Sequence, residues 1–272
     1  MERLLSMFSY GYMVRAFIAG ILVAVIVSLI GNIMVHKRLS MIGDSLAHTS
    51  LAGVAIGLVA GWNPIVGAIL ACIVGAFFIE GIRKRLGVHS EMAVAVVLSA
   101  GVGIAGLMSG FVKSGSDFSS FLFGSVIATS TEEVIMIAAV AAIVISLFIA
   151  LYRKIFLISF DEESARLLGI RTNLVNALIT FLTALSVAVS ARIVGSLIIS
   201  SLMVVPVAAS SMIARSYRMQ IVMSVVFSLV ATIPGLILSF LFGLKPGASI
   251  CLLSVMIFIV CTVIKALNNK KA

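Results

Sequence analysis

Long uninterrupted apolar runs constrain this chain more than any other feature. They fall at about 12–35, 44–61, 64–82, 91–112, 131–151, 172–191, 194–213, 219–243 and 247–266. A helix that crosses a bilayer needs about 20 such residues. Inside lipid every backbone amide and carbonyl must pair internally, which leaves helices or closed barrels. Barrel strands alternate apolar and polar residues, and these runs are continuous, so they read as helices. Composition closes the other routes. The 272 residues are 62% hydrophobic and 11% charged, against roughly 25% charged in a soluble domain. A soluble globule, a disordered chain, a collagen-like repeat and a disulfide scaffold are excluded. The expectation is an all-α, polytopic transmembrane helical bundle. It has eight or nine spans, because the sixth and seventh runs are parted only by Arg192 and Ile193 and one of them could be re-entrant. Residues 1–272 read as a single transmembrane domain. Any ATPase, receptor or enzyme domain is then expected on another chain.

The formal net charge of +9 invites a nucleic-acid reading, but the placement of the charges argues for a membrane instead. Lys37 and Arg38; Arg83, Lys84 and Arg85; Arg153, Lys154, Arg166 and Arg171; Arg215 and Arg218; and Lys265, Lys270 and Lys271 all fall on one side if the spans alternate. These are fourteen of the nineteen basic residues. Short cytosolic loops carry the excess of Lys and Arg, so that side is expected to be the cytosol, with the C-terminus inside. Lys113, Asp117, Glu132, Glu133 and Lys245 fall opposite. The N-terminal run is long and lacks a small-residue cleavage site, so it reads as a retained first helix. Cys72, Cys251 and Cys261 stand singly in apolar runs without a CxxC pair and read as small packing residues.

Glycine spacing suggests where helices cross. Gly53, Gly57 and Gly61 stand four apart, as do Gly106 and Gly110, and small residues at that spacing let backbones approach closely in lipid. Gly101-Val-Gly103-Ile-Ala-Gly106 matches a dinucleotide-binding pattern. It lies inside an apolar run with no preceding strand, so packing is the better reading. No Walker A sequence occurs.

Ionisable residues inside membrane segments are costly and mark pathways or buried partners. Asp44 and His48 open the second run at i and i+4, on one helix face. A carboxylate and a neutral imidazole are ligands for zinc and for manganese, with the hydroxyls of Thr49 and Ser50 close in sequence. The alternative is that Asp44 caps the helix and His48 bonds a backbone carbonyl. One Asp and one His do not complete a site, whereas two copies about a two-fold axis would supply four ligands. On the outer side, Asp117, Glu132 and Glu133 could form an acidic mouth that concentrates cations. Equally, Glu132 and Glu133 follow Ser130 and Thr131, which is good helix-start chemistry. Arg192 could pair with a carboxylate or anchor at a headgroup. His36 and His89 adjoin basic residues and read as solvated. Glu80 and Glu91 flank Arg83 to Arg85 and read as local ion pairs.

Residues 159–170 differ in kind. Ser159 and Glu162 have capping-box spacing, Asp161, Glu162 and Glu163 suit a helix N-terminus, Glu162 and Arg166 stand at i and i+4, and Gly169 suits a stop. The expectation is a short helix of about nine residues, too polar to span. Phe160, Ala165 and Leu168 form its apolar side, for docking on the membrane surface or into a soluble partner.

The stretch Gly43-Asp44-Ser45-Leu46-Ala47-His48, continuing to Gly57, closely resembles the second-helix motif of the permease subunits of zinc and manganese ABC importers. Residues 117–125 resemble that family's outer loop, 160–170 its coupling helix, and 194–209, with Pro206, its late proline-containing helix. The four matches run in order through nearly the whole chain. The resemblance implies a permease working as a pair of membrane subunits, with no permanently bound cofactor and with Zn2+ or Mn2+ as cargo. An extracytoplasmic metal-binding protein delivers the ion and two cytosolic ATPase subunits drive transport. By position, Asp44 and His48 line the metal route. Asp161, Glu162, Ala165, Leu168 and Gly169 make the ATPase contact through a cytosolic coupling helix at about 160–169.

The expected function is therefore the permease of an ATP-driven, high-affinity divalent metal importer in the plasma membrane, with zinc preferred to manganese, no enzyme activity of its own and no nucleic-acid partner. A second copy of the chain is the expected partner. The rival is a secondary transporter driven by an ion gradient, with Asp44 and His48 as a proton or metal relay. A membrane metalloenzyme would need three clustered ligands and a base. From a start near Ser40, Asp44 and His48 lie only about 6 and 12 Å along their helix, in its cytosolic half or near the midplane. Transport also requires a site weak enough to release its ion.

Overall fold

The computed structural model describes residue 7 and residues 10–86, 90–112, 115–125 and 129–269. Among these, every regular element is helical: α1 (Gly11–His36), α2 (Ile42–Ala60), α3 (Pro64–Leu86), α4 (Ser90–Ser109), α5 (Gly115–Phe123), α6 (Thr131–Phe160), α7 (Glu162–Leu167), α8 (Thr172–Ser190), α9 (Ser196–Ile213), α10 (Tyr217–Phe242) and α11 (Pro246–Asn269). Eight of them, α1 to α4, α6, α8, α10 and α11, are long and apolar enough to cross a membrane. The ninth apolar helix, α9, is shorter. It is joined to α8 by the tight turn 191–194 and contains Pro206.

α1 is apolar all round, and Ala16, Val23, Ile26, Ile30 and Ile33 are buried on its several faces. A helix of that kind belongs in the interior, and α1 packs on α6, α8, α9 and α10. α2, α3 and α4 form one group of mutually packed helices, and α9, α10 and α11 form another. α8 lies against α3, α6, α1 and α2, and α9 reaches across to α2.

Close crossings depend on glycine, though not on all the glycines that spacing suggested. A Cβ on Gly53 would strike the backbone of Gly67, and one on Gly67 would strike Gly53, so α2 and α3 touch backbone to backbone. On α4 the close approach is at Gly101, whose added Cβ would lie 2.9 Å from the Thr49 amide nitrogen and 3.1 Å from the His48 carbonyl carbon. Gly106 meets nothing within 4 Å, and among the described residues its spacing with Gly110 packs no helix. The pattern from Gly101 to Gly106 is continuous α-helix, as a packing motif requires.

Two boundaries differ from expectation. α6 continues to Phe160, well past the expected end near 151, and is 30 residues long. Arg153 and Lys154 do not stop it because they sit on its exposed side while Ile155 and Ile158 are buried. Ser159 and Phe160 consequently belong to α6. The capping box expected from Ser159 and Glu162 does not form. Asp161 ends α6 and caps α7, accepting from the Ser164 amide at 3.0 Å, and α7 is six residues long.

Candidate functional site

Asp44 sits in the first turn of α2 and His48 one turn further on. Met41 precedes the helix as N-cap residue and no side chain caps it, so Asp44 is not a cap. Among the described residues, no hydrogen bond or ion pair holds the side chain of Asp44 or His48. Both are half-buried, while Ser45, Leu46, Ala47, Thr49 and Ser50 around them are buried. Following the helical spacing, Met41, Ile56 and Val59 are exposed on the same side. Between them on that side Leu51, Ala52 and Ala55 are buried, so the pair is a half-buried, partly open point on α2 and not part of a continuous uncovered strip. Thr49 turns the other way, its hydroxyl donating to the Ser45 carbonyl at 2.8 Å. No third His, Cys, Asp or Glu among the described residues joins the pair.

At the opposite end of the bundle Glu133 is already committed. It completes a capping box with Ser130, its carboxylate accepting from the Ser130 amide at 2.9 Å. Its other oxygen lies 2.9 Å from Nε of Arg192. Arg192 also donates to the Ser120 hydroxyl at 3.2 Å and lies 4.7 Å from the Phe121 ring centre. Arg192 thus pins α5 and the start of α6 to the α8–α9 turn. Glu133, expected as a free charge at an acidic mouth, is neutralised, and Glu132 beside it is exposed. The Asp117 side chain and all of His89 and Lys113 lie outside the described residues.

The face with the basic loops carries a denser network. α7 is anchored by Ala165, which is 0% exposed, while Leu167 and Leu168 are 89% and 70% exposed and Phe160 is 60% exposed. Ala165, expected on the docking side, instead holds the helix against its own chain. Gly169 closes the segment at φ 80°. The Ser164 hydroxyl and amide hold the Asp161 carboxyl below the usual carboxylate range. Glu162 does not pair with Arg166. It accepts from the Asn176 amide at 2.8 Å, and the Asn176 oxygen accepts from the Lys37 ammonium at 2.5 Å. Beside Lys37, Glu80 pairs with Arg83 at 2.8 Å and with Lys84 at 3.7 Å, as local ion pairing predicts. His36 is not solvated: its ring packs 5.2 Å from Phe160 and 5.1 Å from Tyr217, and Nδ1 lies 2.8 Å from the Asn32 carbonyl oxygen. Nothing in the spacing of the sequence pointed to Asn176. Its one signal is an amide set near the start of an apolar run.

Eight helices long and apolar enough to cross a membrane define a multi-pass membrane protein. The chain belongs to the ABC 3 transport family, whose model matches residues 9–265, and it is a transporter membrane component, not an enzyme. It is 32% identical over 253 residues to a "Probable metal transport system membrane protein" of Treponema pallidum, covering 92% of this chain and 94% of that one. It is 27% identical to the "Manganese transport system membrane protein MntC" of Listeria innocua, covering 94% and 91%. Its structure is similar to "PsaBC from Streptococcus pneumoniae in complex with Fab", with a TM-score of 0.86, 25% identity, and 96% and 94% of the two chains covered.

Proposed function

We propose that the chain is the permease, in a single transmembrane domain, of an ATP-driven importer of a divalent metal ion. The observation that carries this is the pairing of Asp44 and His48, half-buried one turn apart on one side of α2 and without a hydrogen-bond or ion-pair partner among the described residues. A second copy of the chain meeting that side of α2 would bring two carboxylates and two imidazoles together, a set that fills a tetrahedral shell. The site is complete only in the pair and opens when the copies shift, which gives the ion a way out.

Cytosolic ATPase subunits dock on the exposed side of α7, at Leu168 and its neighbours Asp161, Glu162 and Gly169. An extracytoplasmic binding protein delivers the ion at the face of Arg192, Glu132 and Asp117. The basic loops and the C-terminus lie in the cytosol, by the charge bias of short loops. Carboxylate and imidazole suit zinc and manganese alike. Zinc is the cargo that the look of the sequence motif favours, while the name of the Listeria relative weighs toward manganese, which we take as the first cargo to test.

The test is uptake of radiolabelled manganese and zinc into vesicles containing the permease, its ATPase and its binding protein, with and without ATP. Uptake requires ATP, and Asp44→Ala and His48→Ala each bring it to background while the complex still assembles. Uptake that ignores ATP and follows a proton gradient, or normal uptake in either variant, overturns the reading.

A further inference from the structure

We propose that Asn176 is a positioning residue that ties the coupling helix α7 to the metal-bearing helix α2, through Lys37 and the turn between α1 and α2. This inference rests on the reading of α7 as the ATPase contact.

Asn176 is 2% exposed, near the start of α8. Its two amide ends are used in opposite senses, the nitrogen donating to Glu162 on α7 and the oxygen accepting from Lys37. An ammonium only donates and a carboxylate only accepts. A buried amide is the side chain that satisfies both at once, with its polarity fixed by the charges at either end. Lys37 directly follows α1, and Arg38 after it has φ 57°, the one positive φ outside glycine among the described residues. That is a conformation side chains avoid, kept only where the surroundings impose it. The turn is short and internally bonded, with Leu39 N to Met34 O at 2.8 Å and Ile42 N to Leu39 O at 3.0 Å. α2 begins at Ile42, and Asp44 is in its first turn.

The consequence is mechanical. α7 bears on its outward side the exposed Leu167 and Leu168, and on its inward side Glu162 and Ala165. A displacement of α7 must either break the Glu162–Asn176 bond inside the protein or carry Asn176 and Lys37 with it. Breaking it strands a buried amide and leaves Lys37 facing Arg83, with only Glu80 to offset it. Carrying it shifts the strained turn and the first turn of α2, where the metal ligands stand. An apolar contact in the same place would fill space equally well but slide; the hydrogen-bonded amide fixes direction.

The experiment uses the complete complex with ATPase and binding protein in vesicles, and reads manganese transported per ATP hydrolysed. In Asn176→Leu the complex assembles and hydrolyses ATP, and the metal-to-ATP ratio falls about fivefold or more. Should Asn176→Leu not fold, Lys37→Met decides, since it removes the donor to the Asn176 oxygen and keeps the Glu162–Asn176 bond; its ratio falls as well. A purely structural role would lower the amount of complex and leave that ratio alone. A second readout is a cysteine at the exposed Met41 (Met41→Cys): its labelling rate changes with ATP in the otherwise unaltered complex and ceases to change when Asn176→Leu is added. An unchanged ratio in the folded variants overturns the proposal. Leu168→Glu separates this from the reading beneath it: if that variant still assembles and transports normally, α7 is not the ATPase contact, whatever Asn176 does.

Discussion

Lys37 is the residue at which burial and charge conflict most directly. Burial first, and then the Arg83 guanidinium, bring its ammonium from 10.5 down to about 8, while Glu162 and Glu80 pull the other way. The folded protein therefore gives up this proton more readily than the unfolded chain. Between about pH 8 and pH 10.5 the unfolded chain binds more protons, so stability rises with pH across that window. Below pH 8 the cost of burying the charge is paid in full. The shift corresponds to about 3 kcal/mol. The expected outcome is a thermal unfolding midpoint in detergent that climbs between pH 8 and 10 in the natural protein, relative to Lys37→Gln, whose curve lacks this component. Parallel curves for the two proteins would show that Lys37 is not held in this way. The tension at Lys37 makes sense if the charge is kept for its hold on Asn176, since an uncharged residue would be easier to bury.

At the scale of the element, the part of α2 that carries Asp44 and His48 takes its position from α4. Gly101 touches the backbone at His48 and Thr49, which has no flexible end to yield. Gly101→Val should destabilise the protein by about 1–3 kcal/mol and lower metal uptake by displacing His48. Gly106→Val, one and a half turns on and facing open space, should leave unfolding and uptake unchanged. Equal effects of the two substitutions would remove Gly101 from the account. The contrast also marks what the sequence can disclose. Apolar runs of twenty residues locate the spans because lipid forces each one to satisfy its own backbone, and their bounds hold to within a few residues for most helices. Which glycines are crossings depends on which neighbour arrives, and spacing alone picked Gly53 but also Gly106. The pair Asp44 and His48 was legible as two ligand types on one face, whereas its half-buried setting is a property of how α2, α3, α4, α8 and α9 pack. Arg153 and Lys154 looked like a helix end because charge was counted without its side. Asn176 stayed hidden because its partners are 14 and 139 residues away.

At the scale of the whole molecule, contacts and charge agree about sidedness by independent routes. The charge count puts Lys37, Arg83 and the 159–170 segment on one face. Side-chain contacts join the end of α1, the end of α3, the start of α8 and α7 around Lys37, as alternate crossing demands. The far face is gathered by Arg192 and by Arg15, which donates to the Thr129 carbonyl at 3.1 Å. Exposed leucines within the spans are covered by lipid, but Leu167 and Leu168 lie on a short polar helix beyond the end of α6. Neither packs into the core of this chain, so a charge there removes little internal contact. Leu167→Glu should insert and unfold at the natural temperature, while the ATPase no longer co-purifies and ATP-driven uptake is lost. Loss of folding along with binding would mean that the leucines support the bundle, and full retention of the ATPase would move its docking surface away from α7. The intermediate case, binding kept and transport lost, would place α7 at the ATPase and make its two leucines the grip through which movement passes to Glu162.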